Sequence, residues 1–153
     1  MNNNYLQKFN TSHSHGIMFH HFHSKKHSKS QGSISALEFV KIIKFLGREN
    51  ILSPEEYLFK LNSNKLNKKE ICLTFDDSLK SQYDIALPIL DDFNLKAFWF
   101  VYTAPLKNHY IFYESFREFI NSKFKNFDHF FYYFKLYFEN NFKIKLNELI
   151  MTD

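Results

Sequence analysis

The stretch that decides the fold is "KKEICLTFDDSLKSQYD", residues 68–84. Its first apolar run, residues 71–75, has no polar alternation, which is typical of a strand covered on both faces in a parallel sheet. Asp76 and Asp77 follow this run directly, and residues 81–93 then predict a helix. A pair of charges at the end of a buried strand needs a compensating partner, because an isolated carboxylate is costly to bury.

Two further helices carry clear start signals upstream of this strand. Ser35 and Glu38 form a capping box ahead of apolar residues at helical spacing, and Gly47 suits the position just past the helix end. Ser53 and Glu56 form a second capping box before a shorter helix.

Two more strands complete a repeating pattern. Residues 16–22, "GIMFHHF", predict a short strand that ends in histidines, and residues 95–102, "LKAFWFVY", predict another buried strand. The order strand, helix, short helix, strand, helix, strand indicates an α/β fold built from parallel units.

The sequence changes character after Pro105. Aromatic side chains crowd the region from residue 109 to 142, interrupted by charges and without Gly or Pro. This pattern predicts two amphipathic helices, near residues 111–122 and 127–140, whose aromatic faces pack on the sheet or on each other.

Composition limits the classes of function. The 153 residues fit one domain, and the formal charge of +4 comes from scattered Lys without a dense basic block, so no nucleic-acid partner is expected. The single cysteine, Cys72, lies inside the predicted strand and is expected to be buried and inert. Neither a signal peptide nor an apolar run of about 18 residues is evident, so we expect no membrane span and a cytoplasmic location.

The paired carboxylates allow more than one role. An Asp after a strand often caps the next helix. Two adjacent carboxylates can instead divide the work of metal-assisted hydrolysis, where one binds the cation and the other takes a proton from water. A magnesium site for phosphoryl transfer would use similar residues, but the sequence has neither a Gly-rich phosphate loop nor an Asp-x-Asp pattern.

Taken in order, the segments "GIMFHHF", "GSISALEFVKIIKFLG", "ILSPEEYL", "ICLTFDDSLKSQYDIALPIL" and "LKAFWFVY" resemble the N-terminal half of a polysaccharide deacetylase of the NodB-homology type, over about residues 15–105. The resemblance implies an α/β fold: a partial distorted (β/α) barrel followed by an aromatic-rich helical segment. It also implies a carbohydrate partner, a divalent metal cofactor, usually zinc, and removal of N-acetyl groups. By position, Asp76 resembles the catalytic general base and Asp77 the metal ligand.

The chain departs from the family pattern at two places. Ser78 follows the aspartates where the family usually has Gly, and no His-x-x-x-His metal motif follows residue 105, where only His109 and His129 remain. We therefore divide the chain into a disordered segment 1–15, the barrel half 16–105 and a helical insertion 106–153 that ends before the second half of the barrel. The rival hypothesis is a catalytically inactive fragment or binding remnant.

Histidines are dense near the N-terminus, and some fall at the end of the first strand. We expect His20 and His21 to line the substrate pocket, because the ends of parallel strands open on the same face of the sheet. A metal-binding role for one of these histidines is an alternative. The particular sugar and the oligomeric state stay open at this point.

Overall fold

The computed structural model describes residues 14–109 and 111–143. The sequence predicts disorder over residues 1–15. Residues 1–13 lie outside the described part of the chain, and His15 begins the first strand. The chain divides into two compact units with the boundary between Asn108 and His109, and each is described by itself.

The first unit is a mixed α/β structure built on a parallel sheet, as the sequence predicts. Its strands are β1 (His15–Phe19), β2 (Phe22–His23), β3 (Ile34–Ser35), β4 (Ile71–Phe75) and β5 (Phe98–Trp99). The main sheet has the order β1-β4-β5 with every pair parallel, and β2 and β3 form a separate parallel pair.

Two predicted strands are shorter than the sequence pattern suggests. The strand expected over 16–22 is divided, because β1 leaves the main sheet after Phe19 and β2 pairs with β3 instead. The strand expected over 95–102 pairs with β4 only at Phe98–Trp99. One further hydrogen bond joins Phe100 N to Phe75 O at 2.8 Å. Because β4 ends at Phe75, the chain after β5 has no more of β4 to pair with.

The helices are α1 (Ala36–Leu46), α2 (Pro54–Asn62), α3 (Leu87–Asp92), α4 (Phe112–Lys123) and α5 (Phe127–Phe142). Both predicted capping boxes are present, with the Ser35 and Ser53 hydroxyls accepting hydrogen bonds from the third helical N–H groups. A π-helical turn, Gln82–Ala86, leads directly into α3. No helix in the described part of the chain is long and apolar enough to cross a membrane.

The core of the first unit lies between the main sheet and the helices α1 and α3. Phe39 on α1 is fully buried, and its ring contacts Phe19, Phe22 and Phe75 at centroid distances of 5.0, 5.2 and 6.1 Å. Cys72 is also buried, and burial raises the pKa of its thiol, as expected for an inert cysteine.

In the second unit, aromatic rings connect α4 and α5. Phe116 and Phe119 of α4 contact Phe130 of α5 edge to face, at centroid distances of 5.4 and 6.5 Å. Asn126 caps α5 by accepting a hydrogen bond from His129 N at 2.8 Å. Many other rings of these helices are exposed, so the facing rings account for only part of the aromatic content.

A loop of the first unit is tied to the π-helical turn through one carboxylate. Asp84 accepts hydrogen bonds from Lys80 Nζ at 3.0 Å and from His27 Nε2 at 2.8 Å. These hydrogen bonds, that from Lys80 first, hold the pKa of Asp84 below its ordinary value. The turn that carries Gln82 is therefore anchored to the loop after β2.

Replacing Phe39 by Ala should lower the free energy of unfolding by about 3–5 kcal/mol, because it removes a fully buried ring and leaves a cavity. Urea unfolding can be followed by the fluorescence of Trp99, the only tryptophan, which stacks on Phe75 at 4.4 Å. Phe59→Ala is the matched control, since that side chain is 68% exposed. Equal losses in the two variants would contradict the core assigned here.

Replacing Asp84 by Asn should make the melting temperature depend less on pH in the acid range. A carboxyl whose pKa is lowered by folding stabilises the protein above its unfolded pKa, and this contribution is lost as the pH falls through the folded pKa. The melting temperature of the wild type should therefore drop more steeply than that of the variant below about pH 4. Asp92→Asn, at an exposed position of α3, should follow the wild type; identical profiles for all three proteins would disprove the anchor.

Candidate functional site

The candidate site lies where the adjacent strands β1 and β4 end. Their register pairs Phe19 with Phe75, so His20 and Asp76 are the first residues beyond the ladder on neighbouring strands. Asp76 N donates a last hydrogen bond to Phe19 O at 3.3 Å. Parallel pairing thus brings together two side chains that are far apart in sequence.

Three polar side chains converge at this edge. His20 Nε2 lies 3.8 Å from Asp76 Oδ2 and 4.0 Å from Asp77 Oδ2. The side chains of His20, Asp76 and Asp77 are 36%, 29% and 42% exposed, so water and a solute can reach all three. The arrangement combines two proton acceptors with an imidazole that can donate a hydrogen bond, which is suited to hydrolysis.

The oxygens of Asp76 differ in environment. Oδ2 faces His20 Nε2, whereas Oδ1 is buried and has no hydrogen-bond partner among the described residues. Neither oxygen caps the following helix, so the capping alternative does not account for Asp76. A buried acceptor without a donor is uncommon in proteins, and its lone pairs are available to a proton or a cation.

The backbone after Asp76 is strained. Asp77 has a φ of +70° and Ser78 a φ of +54°, so two consecutive residues other than Gly are left-handed. Asp is tolerated in this region better than most residues, and Ser occupies the position where the resemblance leads one to expect Gly. Ser78 Oγ accepts a hydrogen bond from Tyr102 N at 3.3 Å, which connects the turn to the chain after β5.

Of the two histidines predicted to line a pocket, His20 lies beside both carboxylates. The ring of His21 stacks on that of His20 at 6.2 Å, and His21 O accepts a hydrogen bond from Ile34 N at 3.1 Å. Two other histidines contact side chains elsewhere: His23 Nδ1 lies 3.1 Å from Ser33 Oγ, and His27 contacts Asp84.

The donor set is short of a complete metal site. Within residues 14–109 and 111–143, no group of three or more His, Cys, Asp or Glu side chains has the geometry to hold a metal ion. Catalytic zinc normally takes three protein ligands and a water. The side chains of this edge therefore do not fit a metal by themselves, and Asp77 could supply only part of a coordination shell.

Sequence reasoning missed one buried side chain behind the site. The Gln82 amide nitrogen donates to His20 O at 2.8 Å and to Asp76 O at 2.5 Å. The residue is only 1% exposed. A Gln near the start of a predicted helix gives no signal in the sequence that its amide turns inward.

An apolar cavity of about 330 Å³ adjoins the same turn. It is lined mainly by apolar side chains from β4, the following helix and the chain around β5: Phe75, Ser78, Leu79, Gln82, Tyr83, Leu87, Trp99, Phe100 and Val101. His20, Asp76 and Asp77 are not among its lining residues, so the cavity is distinct from the polar edge.

The strain at Ser78 leads to a stability prediction. Ser78→Val should lower the free energy of unfolding by about 1–2 kcal/mol, because a β-branched residue is strongly disfavoured at positive φ. Ser78→Asn should stay closer to the wild type, since Asn adopts this conformation readily and keeps a side-chain oxygen that can accept from Tyr102 N. The control, Ser28→Val, places the same residue at an exposed site without positive φ. The free energy of unfolding is measured with urea. A loss in Ser78→Val no larger than that in Ser28→Val would contradict the left-handed turn.

Comparison with known proteins identifies the segment that holds the carboxylates. The polysaccharide deacetylase family model matches residues 63–126. A solved de-N-acetylase from Aggregatibacter actinomycetemcomitans is similar in structure, with a TM-score of 0.45 and 20% identity over 56% of this chain and 36% of that chain. No curated protein matches the sequence significantly. The match of the family model confirms the resemblance to polysaccharide deacetylases, over a segment that contains both Asp76 and Asp77.

Proposed function

We propose that the chain provides the paired-aspartate part of a metal-dependent carbohydrate N-deacetylase, a hydrolase of the acetamide C–N bond. The observation that carries this proposal is the convergence of His20, Asp76 and Asp77 at one strand edge within a unit whose aspartates lie in the family-matched segment. The partner is a carbohydrate that bears N-acetyl groups. The parallel sheet is compatible with the first part of a distorted (β/α) barrel over residues 16–105, with residues 106–153 as a helical insertion.

Asp76 is the proposed general base. Hydrolysis adds water across the acetamide C–N bond and releases acetate and a free amine. The carboxylate of Asp76 takes a proton from the attacking water at Oδ2, the oxygen that faces His20, because Oδ1 is buried. His20 and, beyond it, His21 form a wall of the substrate pocket in this proposal, where an imidazole N–H can donate to a substrate oxygen.

Asp77 is the proposed metal ligand. Its side chain is more exposed than those of His20 and Asp76, which suits contact with a cation at the ends of β1 and β4. A divalent metal, zinc in this proposal, would supply a Lewis acid that polarises the acetamide carbonyl. Because the described residues lack a three-ligand cluster, the remaining ligands would have to come from groups outside them.

Asp76→Asn should reduce deacetylation by at least about 100-fold while leaving the fold intact, because the amide cannot accept the proton. The assay measures acetate released from N-acetylglucosamine oligosaccharides by the purified chain with added Zn²⁺. Asp91→Asn, at an exposed position of α3, should retain full activity. Wild-type activity in the Asp76 variant would remove Asp76 from the base role.

The role of Asp77 is tested separately by binding. Asp77→Ala should weaken Zn²⁺ binding, measured by calorimetry, whereas Asp76→Asn should affect it less. The rival hypothesis, a catalytically inactive binding remnant, predicts oligosaccharide binding without acetate release in the wild type. That result would overturn the enzyme proposal.

A further inference from the structure

We infer that Gln82 is a positioning residue that fixes the ends of β1 and β4 relative to each other and thereby holds His20 against the two carboxylates. Its importance for catalysis depends on the proposed function, but its effect on the geometry of the edge does not. Gln82 is the first residue of the π-helical turn Gln82–Ala86, and it is buried together with Ile85 and Ala86 of the same turn.

The amide bridges two carbonyl groups from neighbouring strands. Gln82 Nε2 donates to His20 O at 2.8 Å and to Asp76 O at 2.5 Å, so both of its hydrogens are used. These carbonyls belong to the first residues after the paired positions Phe19 and Phe75. The side chain therefore continues the connection between β1 and β4 at the point where the backbone ladder stops.

The carbonyls also fix the orientation of the amide. A reversed amide would place its oxygen against two carbonyl oxygens, which would repel it. In the observed orientation Oε1 is buried and without a hydrogen-bond partner among the described residues. An unsatisfied buried acceptor destabilises the folded state, and an apolar side chain of the same size would avoid that cost. The amide at this position therefore carries a cost that a simple packing role does not require.

The backbone geometry supports the same role. Gln82 begins a π-helical turn, Gln82–Ala86, instead of an α-helical one. Such turns insert one extra residue into a helix and occur frequently at functional sites. This turn is in addition anchored through Asp84 to Lys80 and His27. The turn that carries the Gln82 amide is therefore itself held in place by hydrogen bonds.

The consequence for the site follows from the distances. His20 Nε2 lies 3.8–4.0 Å from the carboxylates, beyond direct hydrogen bonding, so no strong contact between these side chains holds the distance. The backbone must hold it instead. Without the bridge, the positions of the two strand ends would depend on the backbone ladder and on the long, 3.3 Å hydrogen bond from Asp76 N to Phe19 O.

The first test needs no variant. In ¹⁵N,¹³C-labelled wild-type protein, scalar couplings across hydrogen bonds should connect Gln82 Nε2 to the carbonyl carbons of His20 and Asp76. The Gln82 NH₂ protons should exchange slowly with solvent because the side chain is buried. Fast exchange together with no coupling to either carbonyl would overturn the inference, whether or not the protein is an enzyme.

The second test uses Gln82→Met, which keeps a similar volume and removes both donors. The ¹³C resonances of the His20 and Asp76 carbonyls should shift together, and kcat should fall about 10- to 100-fold with KM changed much less, as expected for misplaced groups. Leu90→Val is the control, since Leu90 is 1% exposed in α3 and does not contact the strand ends through hydrogen bonds. It should cost stability without shifting either carbonyl.

The outcomes separate this inference from the proposed function. If the carbonyl resonances shift in Gln82→Met but not in Leu90→Val, the positioning role is supported. If the wild-type chain also has no deacetylase activity, the same data count against the enzyme proposal. Equal effects of Gln82→Met and Leu90→Val on the carbonyls and on kcat would reduce Gln82 to a core residue and overturn the inference.

Discussion

The parallel pairing of β1 with β4 is the constraint on which the rest of the first unit depends. The register that aligns Phe19 with Phe75 places both rings on the face covered by Phe39, and the same register places His20 beside Asp76 one residue later. A slip by one residue would turn the apolar rings to the opposite face of the sheet. The packing of the core therefore fixes the geometry of the polar edge.

The sheet explains why two carboxylates can follow a buried strand. Residues 71–75 are almost entirely buried, but the chain leaves the sheet at Asp76 and turns sharply through two left-handed residues. This turn keeps the carboxylates of Asp76 and Asp77 partly exposed, so neither bears the full cost of desolvation. Backbone strain of this kind is retained where the surrounding structure holds the chain in place.

Much of the fold could be predicted because its signals are local. The capping boxes at Ser35 and Ser53 and the apolar run 71–75 specify their elements through hydrogen bonds and burial within a few residues. The predicted ends of β1 and β5 were wrong. Strand length depends on which neighbouring strand is available to pair, and the sequence of one strand does not contain that information.

The candidate site was predictable in part for the same reason. Asp76 and His20 follow strands that could be recognised, so their proximity follows from parallel topology. The inward turn of the Gln82 amide could not be predicted, because it depends on two carbonyls, one of which is far away in sequence. Likewise, the contact of His27 with Asp84 joins a loop to a π-helical turn that no periodicity indicates.

An excess of acceptors at this edge supports the hydrolytic proposal over a structural role. Asp76 Oδ1 and Gln82 Oε1 are both buried and lack donors among the described residues, and Asp77 adds a second carboxylate. His20 is the side chain that faces both carboxylates, and it lies too far away to satisfy either with a short hydrogen bond. A structural network would be expected to pair its buried acceptors. The exposed carboxylate oxygens of Asp76 and Asp77 are instead suited to a water molecule or a cation, and water is the reactant that hydrolysis of an acetamide needs beside the substrate.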